Sequence, residues 1–316
     1  MYELKNYGLD WNKQIADEDP EKDWIFGASS VRCIAEVPPK ERVNCLPAGE
    51  VQQSDKDDMM DCATRGPLNI LETKFNWLIR NNMLSVRAIA FLKQFMNDKG
   101  QVEISDAFTS IKSGTTKFGN SMKAPLDAIR KFGIVPKKLL PLEKWMSWTD
   151  FHNVNRITPT IEEIAKQSLL HFNFNYEKVL EKDTKKMLDR DILNLCGFAW
   201  PAPVNGIYPK TDNDPNHVFM GLDDDNMLDY LKSNTDIFDN YIDFDDDFIK
   251  KLAPDYRFWG QYRLIISENR MTETENLSFM IFLLKRMIEI LKQMLDIQEH
   301  LRKISGFFRG LFKGRN

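Results

Sequence analysis

The sequence predicts an α+β protein, a helical half followed by a half built of strands. Two observations carry this. From Leu68 to Ile79 apolar residues recur at three- and four-residue steps, the period of a helix with one buried face. After about residue 195 the pattern changes to short apolar or aromatic runs between turn residues, as strands show. Helices first and strands later is the order of an α+β chain, not of alternating βαβ units.

Taken in order, residues 1–50 read as irregular, broken by Pro20, Pro38, Pro39 and Pro47. Leu68, Leu71, Phe75, Leu78 and Ile79 place a helix over 68–82, and a second is expected over 84–98. Residues 103–121 are polar and turn-rich. A short helix over 122–132 stops at Gly133. Pro136, Pro141 and Pro159 mark a loop, and 160–194 reads as a long helical stretch broken near Asn173-Phe174-Asn175. Strands are expected over 195–204, 217–222, 226–232 and 256–266.

Composition excludes several classes. A net charge of −4 gives no reason to expect nucleic-acid binding. The start, Met1-Tyr2-Glu3-Leu4-Lys5, lacks the basic and apolar regions of a secretory signal, and no apolar run reaches the roughly 18–20 residues that span a bilayer. A cytoplasmic protein with reduced thiols follows as the expectation. Cys33, Cys45, Cys62 and Cys196 form no CxxC pair or zinc-like spacing, so neither a metal nor a cofactor is expected. Residues 223–247 hold ten aspartates and one lysine. They lack the ligand order, central Gly and final Glu of a calcium loop, and read as solvated acidic turns, with incidental calcium binding the alternative.

The tail, 271–316, differs in character. Met287, Ile288, Leu291, Met294, Leu295 and Ile297 continue an apolar run at helical spacing, and Arg302, Lys303, Arg309, Lys313 and Arg315 follow without an acid. An amphipathic helix is expected, and residues 277–312 could serve self-association, a protein partner or an anionic membrane surface. Three regions result: an irregular extension at 1–45, a body at 46–270 and this tail.

Chemistry concentrates at two positions. Cys62 opens a stretch with helical patterning, and His217 opens an apolar strand about 150 residues later. A thiol at a helix start and an imidazole at a strand start suit a thiol peptidase whose two halves meet at a cleft. The helix dipole favours the thiolate; the imidazole completes the ion pair and protonates the leaving amine. Pro67 works against this, since it cannot donate to the Ala63 carbonyl: the helix is either kinked or starts late, at Pro67, leaving Cys62 in a loop. The acids Asp55, Asp57, Asp58 and Asp61 also disfavour a thiolate. His171 lies in an apolar helical run and His152 and His300 in polar surroundings without a partner motif.

From about residue 45 to 266 the chain resembles the papain-like cysteine peptidases. The matches, in order, are Leu46-Pro47 with Gln52-Gln53, Asp61-Cys62 and its helix, Ile104-Ser105-Asp106-Ala107-Phe108, Gly114 with Gly119-Asn120-Ser121, Ala128 to Pro136, Pro203-Val204, Gly206-Ile207-Tyr208, Asn216-His217-Val218 and Trp259 to Leu264. In style it is similar to divergent relatives encoded by bacteriophages or bacteria. The resemblance implies a two-lobe fold, a helical lobe beside an antiparallel β lobe, and hydrolysis of peptide or isopeptide bonds in a peptide or protein substrate through a Cys62 thioester. It also implies a glutamine oxyanion donor before the cysteine. Lys56 holds the family's position, so Gln53 is assigned, with Gln52 beside it and a three-residue bulge between Gln53 and Cys62. The family's asparagine that orients the histidine falls at Lys232-Ser233-Asn234-Thr235; spacing favours Ser233, and chemistry favours Asn234, whose amide can accept from the imidazole. Ser121 and Met122 would line the cleft. The departures leave open a weak or inactive member serving as an interaction module, for example in a phage virion or secretion assembly, and a thiol acyltransferase on the same scaffold.

Overall fold

The computed structural model describes residues 8–19, 23, 25, 33–47, 52–180, 193–198, 214–221, 226–228, 241–243 and 259–269, together with 284, 288, 291–295, 297 and 298. Contacts group the chain into two units, Met1–Asn269 and Arg270–Asn316.

In the first unit, α1 (Trp11–Asp17) and α2 (Pro39–Arg42) lie within the start expected to be irregular. The long helix α3 (Cys62–Arg80) follows, then α4 (Val86–Leu92), α5 (Asp106–Ser113), α6 (Lys123–Phe132), α7 (Trp148–Phe151) and α8 (Pro159–His171). Among the described residues six strands follow: β1 (Phe172–Val179), β2 (Asn194–Phe198), β3 (His217–Gly221), β4 (Asn226–Leu228), β5 (Tyr241–Asp243) and β6 (Trp259–Glu268). They form one antiparallel sheet in the order β1-β6-β2-β3-β4-β5, so the α+β class expected from the sequence holds.

Helix α3 is the axis of the unit. Sixteen of its residues are buried, far more than a single apolar face requires. It packs on β2, β3 and β6 through one side and on α5 and α6 through another. Leu68, Ile70, Leu71, Phe75 and Leu78 join Phe172, Phe174, Tyr176, Leu195, Val218, Met220 and Leu264 in one core. A second core under α5 and α8 contains Met59, Phe108, Val135, Phe151 and Ile161.

Three expectations are corrected. The stretch 160–194 is not one broken helix: it turns from helix to strand at Phe172. Phe172, Phe174 and Tyr176 alternate with polar residues and face inward while β1 pairs with β6 over eight positions. The polar stretch 103–121 contains α5, because its polar residues are satisfied inside: Ser105 caps the helix by accepting from the Phe108 amide at 3.2 Å, and Ser110 donates to Thr64 Oγ1 at 3.1 Å. Within the acidic stretch 223–247, Tyr241–Asp243 is a strand, β5, rather than part of a turn, and it pairs with β4 (Asn226–Leu228), which falls inside the strand expected over 226–232.

None of the four cysteines is in a disulfide. Among the described residues no helix is long and apolar enough to cross a membrane. In the second unit, the described residues of 284–298 are helical, and Leu284, Ile288, Leu291, Met294, Leu295 and Ile297 are exposed. Most of 277–312, and the expected strand positions 199–204, lie outside the described residues.

Candidate active site

Helix α3 begins at Cys62 itself, so the late start at Pro67 does not occur. Pro67 lies inside the first two turns, where it removes one bond, to the Ala63 carbonyl, while Thr64 N and Arg65 N donate to Asp61 O at 2.8 and 2.9 Å and start the helix ahead of it. Cys62 thereby occupies the first helical position, at the positive end of a 19-residue helix. It is only 2% exposed.

The segment before it folds back as a hairpin. Ser54 N donates to Asp57 O at 2.9 Å and Met59 N to Gln52 O at 3.3 Å, which returns both glutamines to the level of Asp58 and Met59. Gln52 Nε2 donates to Asp58 Oδ1 at 2.6 Å and Gln53 Nε2 to Asp58 Oδ2 at 3.0 Å. Gln52 is buried and Gln53 half-buried.

His217 opens β3, pairs with Phe198 of β2 and is fully buried. Strand β3 lies on α3, where Thr73 Oγ1 is 4.0 Å from Met220 Sδ. Both residues are thus held by elements that pack directly on each other.

The N-terminal segment Gly8–Asp10 connects their surroundings. Leu9 N donates to Asn216 O at 3.4 Å, next to His217. Asn120 N donates to Gly8 O at 3.0 Å and Asp10 N to Asn120 O at 2.9 Å, a parallel bridge. On its other side Gly8 abuts Met60, two residues before Cys62: a Cβ there would come within 2.6 Å of the Met60 carbonyl carbon, and φ is +111°. Gly119 is equally constrained, since a Cβ would lie 2.1 Å from Gly8 O. Two glycines let two backbones approach where side chains would prevent it. This strap is tied down further along α1. The buried Gln14 accepts from Met122 N at 2.8 Å and donates to Tyr262 Oη at 2.9 Å. Ser121 Oγ donates to the Asp17 carboxylate, and Lys123 Nζ donates to Asp17 O at 2.7 Å. Ser121 and Met122, expected to line a cleft, are held by the strap.

Cys45, Cys196, His152 and His171 occupy structural places, and His300 lies outside the described residues. Burial pushes the Cys45 and Cys196 thiols up, away from reactivity. His152 stacks on Trp148 at 4.2 Å and His171 on Phe91 at 4.4 Å, and burial lowers each imidazole to about 4. Asn234 and Ser233 lie outside the described residues. Sequence reasoning overlooked the salt-bridged Arg65, three residues after Cys62. An arginine on a helix turn next to an acid run was the available signal.

No protein-family model matches the chain, and no curated protein sequence does. Solved structures do. Xylellain, a cysteine protease from Xylella fastidiosa, is 16% identical over 84% of this chain and 98% of its own, with a TM-score of 0.41. The proform of the ragweed pollen cysteine protease Amb a 11 is 12% identical over 76% of this chain and 69% of its own, at 0.43. A Carica candamarcensis cysteine protease is 9% identical over 74% of this chain and 99% of its own, at 0.41.

Proposed function

We propose that this chain is a papain-like thiol hydrolase acting on peptide or isopeptide bonds, with Cys62 as nucleophile and His217 as general acid and base. The observation that carries the reading is the pairing of elements: a cysteine at the first position of a buried helix, and a histidine at the first position of the strand packed on that helix. The thiolate adds to the scissile carbonyl, the C–N bond breaks, and the imidazolium gives its proton to the leaving amine. Water, or an acceptor amine, then adds to the thioester and returns the thiol. A side-chain amide from the glutamine hairpin would donate to the developing oxyanion, with Gln53 the assigned residue and the buried Gln52 its rival. Asn234 would orient the imidazole.

Labelling with a thiol-directed epoxide between pH 5 and 9 tests this. Cys62 is expected to label near neutral pH, and His217→Ala to slow that labelling at least about tenfold. Labelling no faster than a free thiol, indifferent to His217, would sink the hydrolase reading.

We infer that the strap controls access to the pair, since Gly8–Asp10 lies against the residues that precede both Cys62 and His217, and both of these are buried. Gly8→Ala cannot keep the approach to Met60, and Asp17→Ala removes an anchor without introducing bulk. Each is expected to speed epoxide labelling of Cys62 by about tenfold, a release of roughly 1.4 kcal/mol of closure. Equal rates in all three proteins would show that the strap does not gate the thiol.

A further inference from the structure

A second feature of the thiol turn concerns how Asp61 is used. Five described α-helices with a capping-type residue at the N-cap use its side chain on their own amides: Asp10 accepts from Lys13 N, Ser85 from Ala88 N, Ser105 from Phe108 N, Ser147 from Asp150 N and Thr158 from Ile161 N. Asp61, the N-cap of α3, is as good a capping residue, yet its side chain makes no such bond. Its Oδ1 instead accepts from Arg65 Nε at 2.9 Å. Arg65 Nη1 is also 3.3 Å from Asp106 Oδ2 at the start of α5. Asp61, Arg65 and Asp106 are 0%, 3% and 5% exposed, so these charges interact with little screening by water.

A carboxylate capping the first turn would put a full negative charge beside Cys62 and offset the helix end. We infer that Arg65 is a positioning residue for the proposed nucleophile: it draws the Asp61 carboxylate away from the first amides of α3 and balances its charge, leaving the positive helix end to act on the Cys62 thiolate. Asp106 on α5 pairs with the guanidinium as well, so the arrangement depends on α5 packing against α3. The inference rests on the hydrolase reading for its role in turnover, but its electrostatic content stands by itself. Among the described residues, the other charged or titratable groups on the elements around this turn are Asp55, Lys56, Asp57 and Asp58 in the glutamine hairpin, Glu72, Lys74 and Arg80 further along α3, Lys112 on α5, His217 on β3 and Asp10 in the strap.

The test is the pH dependence of Cys62 alkylation by iodoacetamide, measured on the full chain in a charge cycle. Arg65→Met, which leaves Asp61 uncompensated, is expected to raise the midpoint by about one pH unit and slow alkylation at neutral pH about tenfold. Asp61→Asn removes the acid, keeps the guanidinium and is expected to lower the midpoint. The double variant should return close to the parent, and Arg65→Lys should preserve most of the parent profile. A role confined to stability would lower the melting temperature of each variant without moving midpoints in opposite directions. If Arg65→Met fails to fold, Asp61→Asn still decides, because it removes a charge with little change of shape. Unmoved midpoints, or both single variants shifting the same way, overturn the inference. Opposite shifts with no dependence of labelling on His217 would uphold it while removing the hydrolase reading.

Discussion

In the strap-released Gly8→Ala form, Cys62→Ala is expected to reduce cleavage of an unfolded protein such as casein by at least about ten-thousandfold, and His217→Ala by a comparable factor. The two losses should be strongly non-additive. Once the thiol is gone no thioester forms, and removing the imidazole then has nothing left to affect. The glutamines should separate more finely. Whichever of Gln52 and Gln53 turns its amide to the oxyanion should cost about a hundredfold or more when replaced by alanine, and the other much less. Because both amides donate to Asp58, Asp58→Ala is expected to disorder the donor and mimic the larger of the two losses. Time courses of substrate cleavage check all five variants. Full activity in Cys62→Ala would refute the assignment.

Lys74→Met is expected to destabilise the first unit by about 3–5 kcal/mol at neutral pH, the usual cost of breaking a buried ion pair. Lys74 is 1% exposed, and its Nζ donates to Glu36 Oε2 at 2.6 Å and to Leu264 O at 2.7 Å. Arg263 on β6 holds the other carboxylate oxygen of Glu36 at 2.8 Å and reaches Glu177 on β1 at 3.1 Å. The network therefore joins α3 to the sheet, and so holds the helix of Cys62 on the sheet of His217. Burial by itself raises the Glu36 carboxyl, but Lys74 and Arg263 outweigh it and hold that group below its ordinary value of 4.5. The sign follows. A carboxyl lowered in the folded state contributes fully above its unfolded value and loses that contribution as pH falls through the folded one. The parent should lose stability on acidification below about pH 4.5. Lys74→Met should lose less over the same range, having forfeited part of the stabilisation already. Thermal melts at pH 7 and pH 4 check both statements. A variant within about 1 kcal/mol of the parent at pH 7 would show the pair to be dispensable.

Much of the architecture is legible locally. Leu68, Leu71, Phe75 and Leu78 mark α3 by period, Gly133 ends α6, and short apolar runs mark β2, β3 and β6. Where the reading failed, a second signal competed. Phe172-Asn173-Phe174-Asn175-Tyr176 alternates plainly, yet it follows α8 without a break, so the helical pattern of α8 masks the junction. Helix α5 was hidden because Thr109 and Ser110 look like surface residues, and only the neighbouring α3 shows where Ser110 directs its hydroxyl. Pro67 argued for a late helix start, but a proline costs one bond near an N-terminus, less than the burial of the first turn returns.

By itself the sequence determined the α+β class and offered Cys62 and His217 as the candidates for thiol chemistry, because period, residue type and order along the chain are local properties. It could not determine which backbone segments meet. The approach of Gly8 to Met60 and Asn120, the hairpin that returns Gln52 and Gln53 toward Cys62, and the capture of Asp61 by Arg65 all depend on tertiary packing. Each is a contact whose energy exists only after distant or folded-back segments have been brought together and water has been removed from between them.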